Sequence, residues 1–320
     1  MTPLDYDFLR KLLKERSGLD LSPDKQYLVE SRLVPLVRRI GLPGITELVQ
    51  KMKAGSADAL TAEVVEAMTT NETFFFRDKI PFDHLREMML PALLQARASR
   101  RVLRIWCAAS STGQEPYSIA MCLKELGAPL AGWRIEILAT DLSQGVLEKS
   151  KSGLFSQFEV QRGLPIQLLV KHFTQVGELW QLNADIRAMV QHRQLNLLQD
   201  FGHLGTFDVI FCRNVLIYFD QDTKAGIFER LARVAEPDGF MVLGAAESVV
   251  GISDAFRPYP ERRGLYCPNT TRAVKPGMVA AMAQPMKAVA LASRQSRGLI
   301  FARADRLRES RAAGNATCCR

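Results

Sequence analysis

The segment Arg104-Ile-Trp-Cys-Ala-Ala-Ser-Ser-Thr-Gly-Gln-Glu-Pro-Tyr-Ser118 decides the fold. A short apolar run, Val102–Cys107, leads into small residues and then a helical pattern over Pro116–Leu126. Strand, tight loop and helix form the opening unit of a doubly wound sheet, and such sheets bind ligands beyond the strand's carboxyl end. The grammar repeats downstream. Arg134–Thr140 predicts a second strand and Ser143–Lys151 a helix; Phe207–Cys212 predicts a third strand and Gln221–Ala235 another helix. Gly239–Gly244 predicts a fourth strand, and Gly264–Cys267 an edge strand. Apolar runs separated by helices indicate an α/β fold with a mainly parallel sheet.

Upstream, residues 1–70 read as helices. Phe8, Leu9, Leu12 and Leu13 recur at helical spacing within Asp5–Ser17, and Gly18 follows as a stop. A second helix is expected to start with Ser22 as N-cap and Pro23 at its first position, ending before Gly41. Pro35 inside it should kink it or end it early. Further helices are predicted at Ile45–Lys53 and Ala57–Met68. The expected organisation is therefore a helical domain (1–70), a linker with a connecting helix (71–99) and the sheet domain (100–269). Ser152–Asn196 breaks the alternation with short pieces, Leu179–Leu182 and Ala188–Gln191, which predict a small antiparallel β-subdomain inserted over 152–196.

Charge and cysteine usage exclude several classes. The net charge is +8, but of 42 basic and 34 acidic residues, ten and two lie in 270–320, leaving 32 of each in the body. The body therefore lacks the basic footprint of a nucleic-acid binder. The tail is Ala/Arg-rich without a core of its own, which predicts disorder with one helix near Ile300–Arg311. The six cysteines form no C-x-x-C pair, and the four histidines are scattered, so no metal site is expected. No apolar run approaches the ~18 residues of a membrane span. The charged N-terminus, MTPLDYDFLRKLLKE, has no apolar signal core. A cytoplasmic protein is expected.

Three strand ends carry polar residues that suggest chemistry. The loop after the first strand lacks the G-x-G-x-x-G of a pyrophosphate site and carries an acid, Glu115. A carboxylate suits a ligand with an ammonium group and no phosphate, such as the methionine end of S-adenosylmethionine. It also suits a cap for the helix at Pro116, and the loop alone does not decide between them. The second strand ends in Asp141, where acids bind ribose hydroxyls in folds of this topology, or where Asp caps the next helix. The third leads into Arg213-Asn214 between apolar runs, a pair too costly to bury without partners. Upstream, Phe74-Phe-Phe76 beside Arg77 either serves a site or joins two domains.

Taken together, six segments resemble the chemotaxis receptor methyltransferases, the CheR-type glutamate O-methyltransferases. They are Thr70-Asn-Glu-Thr-Phe-Phe-Phe-Arg77, Ala109-Ser-Ser-Thr-Gly-Gln-Glu-Pro-Tyr-Ser118, Ala139-Thr-Asp141, Asn196-Leu-Leu198, Phe207-Asp-Val-Ile-Phe-Cys-Arg-Asn-Val-Leu-Ile-Tyr-Phe219 and Ala246-Glu-Ser248. They occur in the family's order across roughly residues 5–268. The resemblance implies a Rossmann-type class I methyltransferase domain behind an all-helical one. It also implies that Asn71, Thr73, Arg77, Glu115, Asp141, Asn196, Leu197, Arg213 and Asn214 contact S-adenosylmethionine. Arg77 and Tyr218 would be the pair nearest the transferred methyl. Gln114 stands where many relatives have an acid.

The implied reaction esterifies glutamate side chains on the cytoplasmic helical domain of methyl-accepting chemotaxis receptors, by a monomer needing no metal. Arg32, Arg38 and Arg39 are candidates to meet that acidic coiled coil, or are simply a solvated charged face. The short loop at Val176–Leu179 disfavours tethering to a receptor's C-terminal peptide. The alternative from another class is a catalytically idle adaptor that binds cofactor or receptor.

Overall fold

A computed structural model describes residues 1–55 and 58–270. The helical part comprises α1 (Pro3–Ser17), α2 (Gln26–Arg39), α3 (Ile45–Lys53) and α4 (Asp58–Met68). Thr2 and Asp5 form a reciprocal capping box at the start of α1, and Gly18, at φ 77°, closes its end. Leu9, Leu13, Leu33, Leu48, Val49 and Val64 are fully buried against one another. Each such side chain contributes about 1.5–3 kcal/mol relative to exposure.

The expected start of α2 is corrected. Ser22 is not its N-cap, because the Ser22 carbonyl is held in a turn by the Tyr6 hydroxyl (2.7 Å) and Lys25 N–H (3.1 Å). Nor does Pro35 end the helix. It removes one internal hydrogen bond, while the burial of Leu33, Leu36 and Val37 around it keeps the helix going to Arg39. The predicted start of the fourth helix at Ala57, the helix at Ile300–Arg311 and the tail from residue 271 lie outside the described residues.

The linker passes through α5 (Ile80–His84) and α6 (Leu90–Ala96) before the sheet domain begins. That domain then runs β1 (Val102–Ala108), α7 (Gln114–Leu126), β2 (Arg134–Asp141) and α8 (Gln144–Ser152). An insertion follows with β3 (Leu154–Ser156), α9 (Gln157–Gln161), α10 (Ile166–His172), β4 (Phe173–Val176), β5 (Leu179–Leu182) and α11 (Ala184–Arg187). Last come β6 (Val190–Gln194), β7 (Phe207–Cys212), α12 (Gln221–Arg233), β8 (Ala235–Leu243), β9 (Phe256–Pro258) and β10 (Leu265–Pro268).

The main sheet has the order β6-β2-β1-β7-β8-β10-β9; its first five strands are parallel and β10 runs antiparallel to β8. The insertion has its own antiparallel sheet, β3-β5-β4. One expectation fails here. The Ala188–Gln191 stretch does not belong to the insertion: Val190 pairs with Ile137, so β6 is the edge of the main sheet. An edge strand with one wet face shows the same alternation as a hairpin strand, so the pattern could not separate them. β8 also starts earlier than Gly239, because a register shift lets Ala235 pair with Phe207. Of the Phe74–Phe76 run, Phe75 does join units: its ring packs 5.0 Å from Phe155 and 5.7 Å from Phe173 of the insertion.

Among the described residues, no helix is long and apolar enough to cross a membrane.

Candidate active site

The loops leaving β1, β2, β6 and β7 line one cavity of about 1070 Å³, counting its open mouth. Its opposite wall comes from the helical domain, through Ser17, Leu19, Val65 and Met68. Asn71, Thr73, Arg77, Glu115 and Asp141 all line it. So do Asn196, Leu197, Arg213, Asn214 and Tyr218, which brings every expected cofactor and methyl-transfer residue to one place.

The loop after β1 is built for close approach. Ala109 (φ 59°) and Ser111 (φ 52°) hold left-handed backbone conformations that non-glycine residues avoid, a strain typical of functional loops. At Gly113, φ is 96° and a Cβ would stand 2.1 Å from Ser150 Oγ, so only glycine fits. Asp141 reaches across from β2 and accepts the Ser111 N–H (2.9 Å) and the Ser143 N–H (3.0 Å). Burial pushes its carboxyl above the usual range, against the lowering by these bonds. Each carboxylate oxygen keeps acceptor capacity toward the cavity. Ser110 Oγ, also in the wall, is buried with no hydrogen-bond partner among the described residues.

Glu115 does not cap α7 with its side chain. It points to Arg213, whose Nη1 donates to Glu115 Oε2 at 2.7 Å. Arg213 Nη2 donates to Asp78 Oδ2 (2.7 Å) and to the Arg77 carbonyl (2.8 Å), and the guanidinium lies 5.9 Å from the Phe82 ring centroid. Burial raises the Glu115 carboxyl while the Arg213 charge opposes the rise. Arg213 is thus the hub that ties the linker to the sheet, with much of its donor capacity committed to protein.

Several other residues are partly committed. Asn196 Nδ2 donates to the Arg16 carbonyl (2.7 Å) and its Oδ1 accepts the Leu198 N–H (3.0 Å), a clasp between the two domains. Asn71 Nδ2 donates to Thr69 Oγ1 at 3.0 Å. Arg77 Nη1 donates to the Glu72 carbonyl (3.0 Å), its guanidinium lies 5.5 Å from the Phe74 ring centroid, and its other N–H groups make no hydrogen bond among the described residues. No hydrogen bond among the described residues engages the Thr73 or Tyr218 hydroxyls.

Two contributions were missed by sequence. The helical domain supplies a full wall, fastened by Glu66 Oε1, which accepts Ser143 Oγ (2.8 Å) and Gly145 N–H (3.0 Å). Lys14 bonds Asp220 at 2.8 Å and holds that carboxyl down to about 2, and the Asp20 N–H reaches the Tyr218 carbonyl at 2.9 Å. No sequence signal separated these residues from ordinary surface. The second is the role of Glu247, which lies in the quoted Ala246-Glu-Ser248 segment and whose carboxylate binds the loop carrying Asn214.

The three candidate docking arginines divide. Arg32 turns inward and donates to the carbonyls of Met68 (2.5 Å) and Thr69 (3.0 Å) and to Thr70 Oγ1 (2.8 Å), fixing the start of the linker. Arg39 pairs with Glu63 at 2.7 Å. Arg38 is exposed and has no ion pair among the described residues. A second groove adjoins the cavity, sharing Leu19, Met68, Thr70 and Tyr218 with it and lined also by Lys25 and Arg32.

Residues 71–265 match the family model "CheR methyltransferase, SAM binding domain", and residues 4–69 match "CheR methyltransferase, all-alpha domain". Chemotaxis protein methyltransferase 1 of Pseudomonas aeruginosa is 41% identical over 259 residues, covering 79% of this chain and 93% of that one. A chemotaxis protein methyltransferase of Pseudomonas putida is 40% identical over 258 residues, covering 79% and 94%. One from Vibrio anguillarum is 38% identical over 255 residues, covering 79% and 92%. The domain boundary between the two matched parts falls at Thr70, where Arg32 anchors the linker. With its all-helical domain closing the cavity at the strand ends of an S-adenosylmethionine-binding sheet, the chain belongs to the CheR methyltransferase family.

Proposed function

We propose that the protein transfers methyl groups from S-adenosylmethionine to glutamate side chains on the cytoplasmic helical domain of chemotaxis receptors. The observation that carries this reading is the position of Tyr218, on the boundary shared by the cavity and the groove that opens outward. A cofactor in the former and a substrate side chain entering from the latter meet there.

The cavity's donors and acceptors fit the cofactor. Asp141, with spare acceptor capacity, suits two ribose hydroxyls. Glu115 suits an ammonium group and the free part of the Arg77 fork suits a carboxylate. The orphaned Ser110 hydroxyl gains a partner from a polar ligand. When bound, the cofactor supplies an electrophilic methyl on a sulfonium. A glutamate carboxylate, with a pKa of about 4.3, is already ionised near neutrality and needs no general base. The protein's tasks are then to orient it and exclude water. The Tyr218 hydroxyl, without a hydrogen-bond partner among the described residues, would donate to one carboxylate oxygen and turn the other toward the methyl.

The reading extends to a monomer acting in the cytoplasm, meeting an acidic helical partner through Arg38 and the Lys25 side of the groove. The test uses full-length protein, a receptor cytoplasmic fragment and S-adenosylmethionine labelled in its methyl. Label on the receptor that mild base releases as methanol is the expected result. Unlabelled receptor, or label stable to base, rejects it.

A further inference from the structure

Glu247 lies outside the cavity wall, yet it holds the loop from which Asn214, Val215 and Tyr218 line the cavity. It follows β8, and its side chain crosses to the loop that leaves β7. Oε1 accepts the N–H groups of Val215 (2.9 Å) and Leu216 (2.7 Å), while Oε2 accepts those of Asn214 (2.7 Å) and Gly244 (2.7 Å). One carboxylate therefore satisfies four peptide donors in two loops that would otherwise need other partners. Among them is Asn214 at φ 59°, a conformation that side chains disfavour and that persists only when its surroundings impose it. Gly244 closes the cradle from the other side. A Cβ there would come within 2.7 Å of both Asn214 Nδ2 and Glu247 Oε2.

Asn214, Val215 and Tyr218 all line the cavity, and the Tyr218 N–H is bonded to the Val215 carbonyl at 3.3 Å. The aim of both side chains thus follows from where the peptides of 214–216 are held. We infer that Glu247 is a positioning residue for methyl transfer, acting through the backbone of Asn214, Val215 and Leu216 to aim Asn214 and Tyr218; this rests on the reaction proposed above.

The chemistry makes the inference separable from a packing role. Peptide N–H groups only donate, so all four positions require an acceptor. Glutamine has nearly the same shape, but whichever way its amide is turned, its NH₂ faces two donors. If Glu247 merely filled space, glutamine would be harmless. As the acceptor for the loop, it should be about as damaging as alanine.

The test compares full-length Glu247→Gln, Glu247→Ala and Gly244→Ala with wild type. It reads thermal unfolding, affinity for S-adenosylhomocysteine, and kcat and KM for methylation of a receptor cytoplasmic fragment. Losing two charge-assisted hydrogen bonds in Glu247→Gln and all four in Glu247→Ala is expected to lower kcat at least ~30-fold in each variant, with KM for receptor changing less than ~3-fold. Gly244→Ala should reproduce the kcat loss with Glu247 intact, because its Cβ displaces Asn214. Glu247→Gln retaining more than about a third of wild-type kcat, or losing only KM, overturns the inference. If Glu247→Gln fails to fold, Gly244→Ala decides, and an unchanged kcat there overturns it. Should wild type bind S-adenosylhomocysteine without methylating receptor, the proposed reaction fails on its own. The loop is then tested by affinity: a Glu247→Gln variant binding as tightly as wild type overturns the inference.

Discussion

Replacing Arg213 with Met is expected to lower the unfolding free energy by about 3–5 kcal/mol, the cost of breaking a buried ion pair from one side. The Arg213 side chain is 1% exposed and joins Glu115, Asp78 and the Arg77 carbonyl. Methionine fills the space against Phe82 but leaves the Glu115 carboxylate buried without its cation. At about 2–4 °C per kcal/mol for a domain of this size, the midpoint should fall by roughly 6–20 °C. The loss should also depend on pH. Without Arg213, the folded-state pKa of Glu115 rises further above its unfolded value, so the variant regains stability as pH falls and Glu115 protonates. The double variant Glu115→Gln/Arg213→Met, with no stranded charge, should recover part of the stability while remaining inactive. Denaturation of Arg213→Met and of the double variant at pH 7.5 and 5.5 checks this. A single variant as stable as wild type at both values would mean that the hub does not hold the linker to the sheet.

The second large effect is expected at Tyr218. Its hydroxyl has no partner among the described residues, so Tyr218→Phe removes no internal bond and should leave the unfolding midpoint unchanged. Its backbone is anchored separately, by Asp20 and Val215. What phenylalanine removes is one hydrogen bond to an ionised carboxylate, worth about 1.5–3 kcal/mol, so kcat should fall by roughly 10- to 150-fold. Affinity for S-adenosylhomocysteine should be nearly unaffected, since the product lacks that carboxylate. Initial-rate kinetics at saturating receptor separate the outcomes. Full turnover by Tyr218→Phe removes the hydroxyl from the mechanism.

Much of the fold is legible because its signals are local. β7 is buried along its whole length, and β1 and β2 are buried over their carboxyl-terminal halves, so all three read as apolar runs. Where one face is wet, as in β6, alternation alone assigned the strand to the wrong sheet. The site was most legible where polar residues interrupt an apolar run, as Arg213 and Asn214 do, whereas Glu115 in its loop and Asp141 at a strand end read equally as helix caps. Their partners could not be read. That Glu115 meets Arg213 rather than a helix end depends on two strand ends converging from positions far apart in sequence. The inward turn of Arg32 is equally invisible, because carbonyls are its partners and every residue has one. The wall given by the helical domain is made of ordinary leucines, valines and methionines, whose pattern says only that they are buried.

The most direct measurement is calorimetric titration of the purified full-length protein with S-adenosylhomocysteine, comparing wild type with Asp141→Ala. Asp141 is 7% exposed in the cavity wall, and alanine removes its acceptors from both the ligand and the Ser111 loop. Saturable binding at one site, weakened at least ~10-fold in a variant that still unfolds cooperatively, is the expected result. A folded wild type that does not bind, or a variant that binds equally well, contradicts the placement of the cofactor in this cavity.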